Sequence, residues 1–302
     1  MAGRSYQGLW VAITSCLIVS LAGCTGMATG VNAAGPQPQP AGVNAVESSP
    51  TTPADAGPPA PVRVLQLNLC NSGIAQCFSN GRSIEEGASV ISIEKPDLVT
   101  LNEVCDGDMP TLERALANAV PGGTVGSAFQ AARDRNTGDD YRCANGQRYG
   151  IGIVSRWPSV PGSSADSGIY PIQDPEDPEE RAWLCLDVAA TPTVAVCTTH
   201  LAYTDREVTV GQCTYLLDTV IAERRARDGA PPLVLGGDLN ISSRDRQALG
   251  SCFPADSAAA NDGGVMHVVA TPEYVVDNSR PIELRIDTEH PGLLVNLTPS
   301  TP

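Results

Sequence analysis

Four short apolar runs, each closing on a polar or ionisable side chain, constrain this chain most: VRVLQLN (residues 62–68), LVTLNE (98–103), VAVCTTH (194–200) and LVLGGDLN (233–240). Runs this short, rich in β-branched residues and bounded by Pro or Gly, read as strands rather than buried helix. Helical patterns separate them. One runs from Ser83 to the stop at Pro96, one covers residues 108–120, and a longer one spans about 209–226, with Tyr215, Leu216, Leu217, Val220 and Ile221 on its apolar face. Further strands are expected near Ala128, at YGIGIVSR, in a hairpin over residues 181–201, at HVVA and at GLLVNL. Hairpin links among these strands, in place of regular βαβ crossovers, predict an α+β fold of two mixed sheets packed face to face with helices outside.

The polar residues closing the runs suit one chemistry. Cleaving a phosphate ester requires charge neutralisation on the non-bridging oxygens, a water aligned for in-line attack and help for the departing oxygen. Glu103 is a hard-cation ligand suited to Mg²⁺ or Mn²⁺. Asp238 can take a proton from the attacking water, and Gly236 and Gly237 before it let backbone and substrate approach closely. Asn240, two residues on along an extended strand, can donate to a phosphate oxygen, and Asn68 can steady the metal ligand or the transition state. Two of the three histidines, His200 in TTHL and His290 in TEHP, offer imidazoles able to donate to a phosphate or act as bases; His267 in MHVVA reads as packing. Asn68 after a first strand, Glu103 after PDLVTL, then YGIGIVSR, TTHL, GGDLN and TEHPGLLVNL come in an order that resembles the endonuclease/exonuclease/phosphatase family, the group of DNase I, abasic-site endonucleases, sphingomyelinases and inositol-phosphate phosphatases.

The resemblance covers residues 62–297 and implies a four-layer α/β/β/α sandwich. It further implies a monomeric phosphoesterase dependent on Mg²⁺ or Mn²⁺, with Ca²⁺ a further candidate. Asn68, His200, Asp238, Asn240 and His290 would be catalytic, Glu103 and Glu289 would be metal ligands, and either Asp238 or His290 would take the proton from water. A nucleic-acid phosphodiester leads as substrate, beside a phosphomonoester or a phospholipid such as sphingomyelin; a surface-binding protein without turnover is the reading from another class. Two departures bear on this. Glu289 stands where the family usually has aspartate, and Met266 stands where many members carry an aspartate that orients the last histidine, so either Asp262, Asp277 or Asp287 substitutes or His290 is held less firmly. The acidic run DPEDPEE (174–180) reads as a solvated loop in preference to a Ca²⁺ site, because its prolines break up a ligand cage.

Near the N-terminus Arg4 is followed by an apolar stretch over residues 9–22, the length of a signal-peptide core and short of the ~20 residues of a membrane span. It ends in LAGC, which resembles a bacterial lipobox and makes Cys24 the lipidated first residue of an exported protein anchored at the cell envelope. Residues 1–23 are then signal, 24–61 a Pro/Ala/Gly-rich tether, 62–297 the catalytic domain and 298–302 a tail. Eight cysteines remain beyond Cys16 and Cys24, none in CxxC spacing, an even set in an exported chain that reads as disulfides. Sequential pairing is expected: Cys70 with Cys77, Cys105 with Cys143, Cys185 with Cys197 across the hairpin, and Cys213 with Cys252. A formal charge of -15 argues against a broad basic nucleic-acid face, although a bound cation can supply positive charge locally. Lys95, the only lysine, leaves lysine-based catalysis almost without a candidate.

Overall fold

The structure, a computed structural model, describes residues 59–300 apart from 121, 123 and 287–290. Cys24, the signal and nearly all of the tether therefore lie outside the described residues, as do Asp287, Glu289 and His290. No helix among the described residues is long and apolar enough to cross a membrane.

Strands β1 (Val62–Asn68) and β2 (Leu98–Cys105) are linked by α1 (Arg82–Glu94), and α2 (Met109–Ala119) leads on to β3 (Gly126–Ala131) and β5 (Tyr149–Ser155). A small β4 (Arg133–Asp134) lies between the last two and pairs with β7 (Glu179–Glu180). Next come β6 (Asp166–Ile169), the hairpin of β8 (Ala182–Val188) and β9 (Val194–His200), and a helical stretch of α3 (Arg206–Thr214), a π-helical segment Tyr215–Ile221 and α4 (Ala222–Arg225). β10 (Leu233–Asp238), α5 (Arg246–Cys252), β11 (Ala258–Asn261), β12 (Met266–Ala270), β13 (Tyr274–Ile282) and β14 (Gly292–Pro299) complete the chain.

Two six-stranded sheets result, ordered β13-β14-β1-β2-β5-β3 and β11-β12-β10-β9-β8-β6. Each is antiparallel except for one central parallel pair, β1 with β2 and β9 with β10. Val64, Leu98, Ile153, Leu184, Val196, Val234 and Val295 fill the space between the sheets. Their neighbours turn outward: Leu65, Leu67 and Leu101 pack beneath α1 and α2, while Ala195, Cys197 and Leu235 pack against Leu216 and Leu217 of the π-helical segment and Ala248 of α5. Both faces of the central strands are thus buried, so these strands read as nearly continuous apolar runs. The four-layer sandwich expected from the sequence is the architecture observed.

The longest helical stretch begins at Arg206, earlier than its apolar face suggests, because the Asp205 carboxylate accepts from the amides of Glu207 (2.8 Å) and Val208 (3.2 Å) as an N-cap. β13 escapes the sequence reading altogether; an edge strand exposed over much of its length carries little apolar alternation. The four disulfides join the expected sequential pairs, with Cys185 and Cys197 directly opposite each other in the β8–β9 register.

Candidate active site

The ends of the two parallel pairs meet across the sandwich. Asn68 closes β1 in register with Asn102 of β2, and His200 closes β9 in register with Asp238, the last residue of β10. A buried polar seam ties the sheets together just behind them. Gln66 Nε2 donates to Asn102 Oδ1 (2.6 Å), which also accepts from the Asp238 amide (2.8 Å), and Asn102 Nδ2 donates to the Thr199 carbonyl (2.9 Å). These strand ends are therefore fixed relative to one another by satisfied buried hydrogen bonds, a rigid base for chemistry.

Glu103 does not end its strand; it sits within β2 at a bulge. Leu101 pairs with Gly152 and Val104 with Gly150, so that Asn102 and Glu103 together oppose Ile151. Glu103 has φ 56°, a left-handed conformation costly for a residue with a Cβ. The extra residue re-aims the carboxylate into the cleft while Asn102 stays in the seam. Asn240 likewise has φ 49° and lies beyond the end of β10, so it does not continue the strand as expected. Its amide nitrogen donates to the Leu201 carbonyl (2.9 Å), and its backbone N–H donates to Asp238 Oδ1 (3.0 Å).

One amide organises the carboxylates. Asn68 Nδ2 donates to Glu103 Oε1 at 2.8 Å and to Asp238 Oδ2 at 3.1 Å, and Asn68 Oδ1 accepts from the Cys70 amide. Both N–H bonds of that amide are then committed, so Asn68 holds the two carboxylates and does not itself reach for the transition state. His200 Nε2 lies 4.0 Å from Asp238 Oδ2. Glu103, His200, Asp238 and Asn240 line one cleft of about 540 Å³. The glycines before Asp238 serve a different purpose from the one anticipated: a Cβ on Gly236 would run into Thr100 and Gln66 of the opposite sheet, and one on Gly237 into the Thr199 carbonyl. Gly236 permits the two sheets to come close, and Gly237 permits the approach of the neighbouring strand β9.

The acidic run is not a solvated loop. Asp174, Asp177 and Glu180 are buried, and Glu179 and Arg181 line the cleft. β7 anchors the run on β4, where Arg133 pairs with Glu180 and the Arg135 guanidinium donates to the Asp177 carbonyl (3.1 Å). Arginines pair with the carboxylates of Asp177, Glu179 and Glu180, while that of Asp174 accepts from the Thr204 hydroxyl and the Glu176 amide. Arg181, itself only 3% exposed, bonds Asp177 Oδ2 (2.8 Å), Glu179 Oε1 (3.2 Å) and His200 Nδ1 (3.0 Å). Burial pushes the Glu179 carboxyl up to about 7, with Arg181 opposing the shift and Glu103 and Asp177 adding to it. Burial also holds the Tyr149 hydroxyl well above its ordinary value, so it remains a donor, and Glu179 is its acceptor. Tyr141 and Tyr203 complete the walls. The sequence reading missed Asp177, Glu179 and Arg181; the available signal was the arginines of ARDR and ERAW, countercharges that can bury an acidic segment.

Other expectations resolve as follows. His267 packs: its Nε2 donates to the Ile241 carbonyl (2.8 Å), its ring meets Phe253 edge-on, and burial lowers its pKa. Met266 is fully buried in the core between the sheets. Asp262 is occupied in the β11–β12 turn, accepting from the amides of Gly264 (2.7 Å) and Met266 (3.2 Å), and Asp277 accepts from its exposed neighbour Asn278 on β13.

The donors in the cleft are hard oxygens. Glu103 and Asp238, brought together on a single amide, would repel each other, and they would offer a divalent cation the hard oxygen ligands that Mg²⁺ and Mn²⁺ prefer. Thiolates are not on offer, since Cys70 and Cys77, whose sulfurs approach Glu103, are joined to each other.

The fold is shared widely. An endonuclease/exonuclease/phosphatase from Beutenbergia cavernae superposes with a TM-score of 0.59 at 21% identity, covering 80% of this chain and 72% of that one. The human nocturnin catalytic domain, solved with a bound sulfate anion, gives 0.59 at 13% identity over 80% of this chain and 94% of its own. A mannosyl-6-phosphatase of Bacteroides thetaiotaomicron gives 0.54 at 12% identity over 78% and 99%. No curated protein matches the chain in sequence. The sequence profile of the Endonuclease/Exonuclease/phosphatase family matches residues 80–286, from the turn before α1 to the residues before His290, and by that match the chain belongs to this family.

Proposed function

We propose that this protein is a divalent-metal-dependent phosphodiesterase, cleaving a P–O ester, a nucleic-acid phosphodiester first among them, by in-line attack of water. Its family consists in general of hydrolytic phosphoesterases, typically dependent on a divalent metal. The observation that carries the reading is the convergence of Glu103, His200 and Asp238 from three strands into one cleft, with buried Asn68 of a fourth bonding both carboxylates. Glu103 would hold the cation, with Glu289 as a further ligand, and the cation would neutralise charge on the non-bridging oxygens. Asp238, its carboxylate oriented by Asn68 and the Asn240 amide, takes the proton of the attacking water. His200 turns Nε2 toward the same space, and Asn240 stands at its edge.

The four disulfides support export to an oxidising compartment, and with it a monomer anchored to the cell envelope through lipidated Cys24. The test is hydrolysis of plasmid DNA, RNA, bis-nitrophenyl phosphate, a phosphomonoester and sphingomyelin by the full chain in Mg²⁺ or Mn²⁺, then in EDTA. EDTA-sensitive cleavage of the diesters is expected, with His200→Ala and Asp238→Ala each losing at least ~10²-fold in turnover while remaining folded. Cleavage of the monoester or of sphingomyelin alone would move the same site to that substrate. No EDTA-sensitive cleavage of anything would leave a binding protein.

A further inference from the structure

Beyond the strand-end residues, the cleft holds a buried cation placed behind a histidine. Arg181 opens the chain path into β8 and lies under the cleft floor, 3% exposed. Asp177 and Glu179 grip its guanidinium at 2.8 and 3.2 Å, and the Tyr203 ring stacks 5.7 Å from it. Burial works against the charged guanidinium, but Glu179 and Asp177 more than compensate, so it stays protonated. The third partner is His200 Nδ1, at 3.0 Å.

Every guanidinium nitrogen is a donor and none is an acceptor. A buried guanidinium N–H directed at Nδ1 can be met only by the lone pair of that nitrogen. We propose that Arg181 is a positioning residue that locks His200 in the neutral tautomer with the proton on Nε2, making His200 a fixed hydrogen-bond donor into the cleft and not a base. Nε2 lies 4.0 Å from Asp238 Oδ2, beyond hydrogen-bond range, so the tautomer is argued from the Arg181 contact. Placing a second proton on Nδ1 would set N–H against N–H and cation against cation in a buried site, a cost that the Asp238 carboxylate at 4.0 Å from Nε2 offsets only in part. In the reaction proposed above, on which this role rests, His200 would then present Nε2–H to a phosphoryl oxygen as charge builds on it. Proton removal from water would fall to another group.

Imidazole nitrogen NMR of the isotopically labelled full chain near neutral pH reads the tautomer directly, with the His200 signals identified by their loss in His200→Gln. The expected spectrum has a protonated Nε2 and an unprotonated Nδ1. A proton on Nδ1, alone or with one on Nε2, overturns the proposal. Arg181→Lys keeps a charge opposite Asp177 and Glu179 but loses the planar fork. It is expected to give a mixed tautomer signal and a fall of ~10-fold or more in kcat, with KM changed by less than ~3-fold, as for an interaction made mainly in the transition state. Wild-type kcat and an unmixed signal in that variant also count against it. The wild-type spectrum needs neither the variant nor turnover, so it decides the tautomer even if Arg181→Lys does not fold. Absence of hydrolysis across the substrate panel would instead remove the phosphoesterase reading.

Discussion

Asn68 is the residue on which the site's geometry turns, because its single amide group bonds both carboxylates. Truncating it leaves Glu103 in a left-handed conformation without one of the bonds that orient its carboxylate. Asn68→Ala is expected to weaken Mg²⁺ or Mn²⁺ binding by ~10- to 100-fold, the usual effect of removing a group that orients a ligand, measurable by calorimetric titration of the metal. Unchanged affinity would show that Glu103 is held by something else. Glu179 gives a second expectation at this scale. Its folded carboxyl titrates near 7 and its ordinary value is 4.5, so between those values the native state carries the extra proton. Stability from this group is fully present below 4.5 and is lost as the pH rises through 7. In chelator, the urea midpoint of the wild type should therefore fall relative to that of Glu179→Gln between about pH 5 and about pH 8. Parallel curves would mean that the carboxyl ionises as easily in the fold as in the unfolded chain.

Among the elements, the strand ends were legible and the loops were not. β1, β9 and β10 stop where their apolar runs meet Asn68, His200 and Asp238, since a buried strand must surrender its alternation where it reaches the cleft. The bulge at Glu103 has no local signature, because it depends on how β5 pairs alongside. The 174–180 segment was misread for a similar reason: its burial is decided by Arg133, Arg135 and Arg181, two of them far away in sequence. The role of Gly236 also becomes visible only when the second sheet is in place. Gly236→Ala would set a Cβ 3.2 Å from Gln66 Oε1 and in collision with Thr100, forcing the sheets apart at the seam. A destabilisation of ~1–3 kcal/mol is expected from chemical unfolding, as for other overpacked cores. Gly250, in α5 with nothing within 4 Å of the same added atom, should respond with the opposite sign, gaining up to ~1 kcal/mol as Ala. Equal responses at the two positions would refute the close approach as the reason for glycine.

For the whole molecule, the proposed anchor raises the question of how an acidic body would sit at a surface. The chain carries a formal charge of -15, and an envelope membrane presents anionic lipid, so the folded domain has no electrostatic reason to lie down on it. What would keep it there is covalent. If Cys24 carries lipid, residues 25–61 form a Pro-rich tether whose extended reach is on the order of 100 Å, about ten times the Debye length at physiological salt. The domain would then be confined near the surface yet screened from it, free to meet a soluble substrate from any direction. Cys24→Ser should release the protein from the membrane fraction to the soluble one while leaving kcat/KM on a soluble phosphodiester unchanged within about twofold, because the residues that line the cleft run from Ser72 to Asn240. Retention in the membrane fraction, resistant to high salt, would mean that the N-terminal apolar stretch or the domain itself holds the bilayer. A large loss of kcat/KM on release would mean that the surface takes part in presenting the substrate.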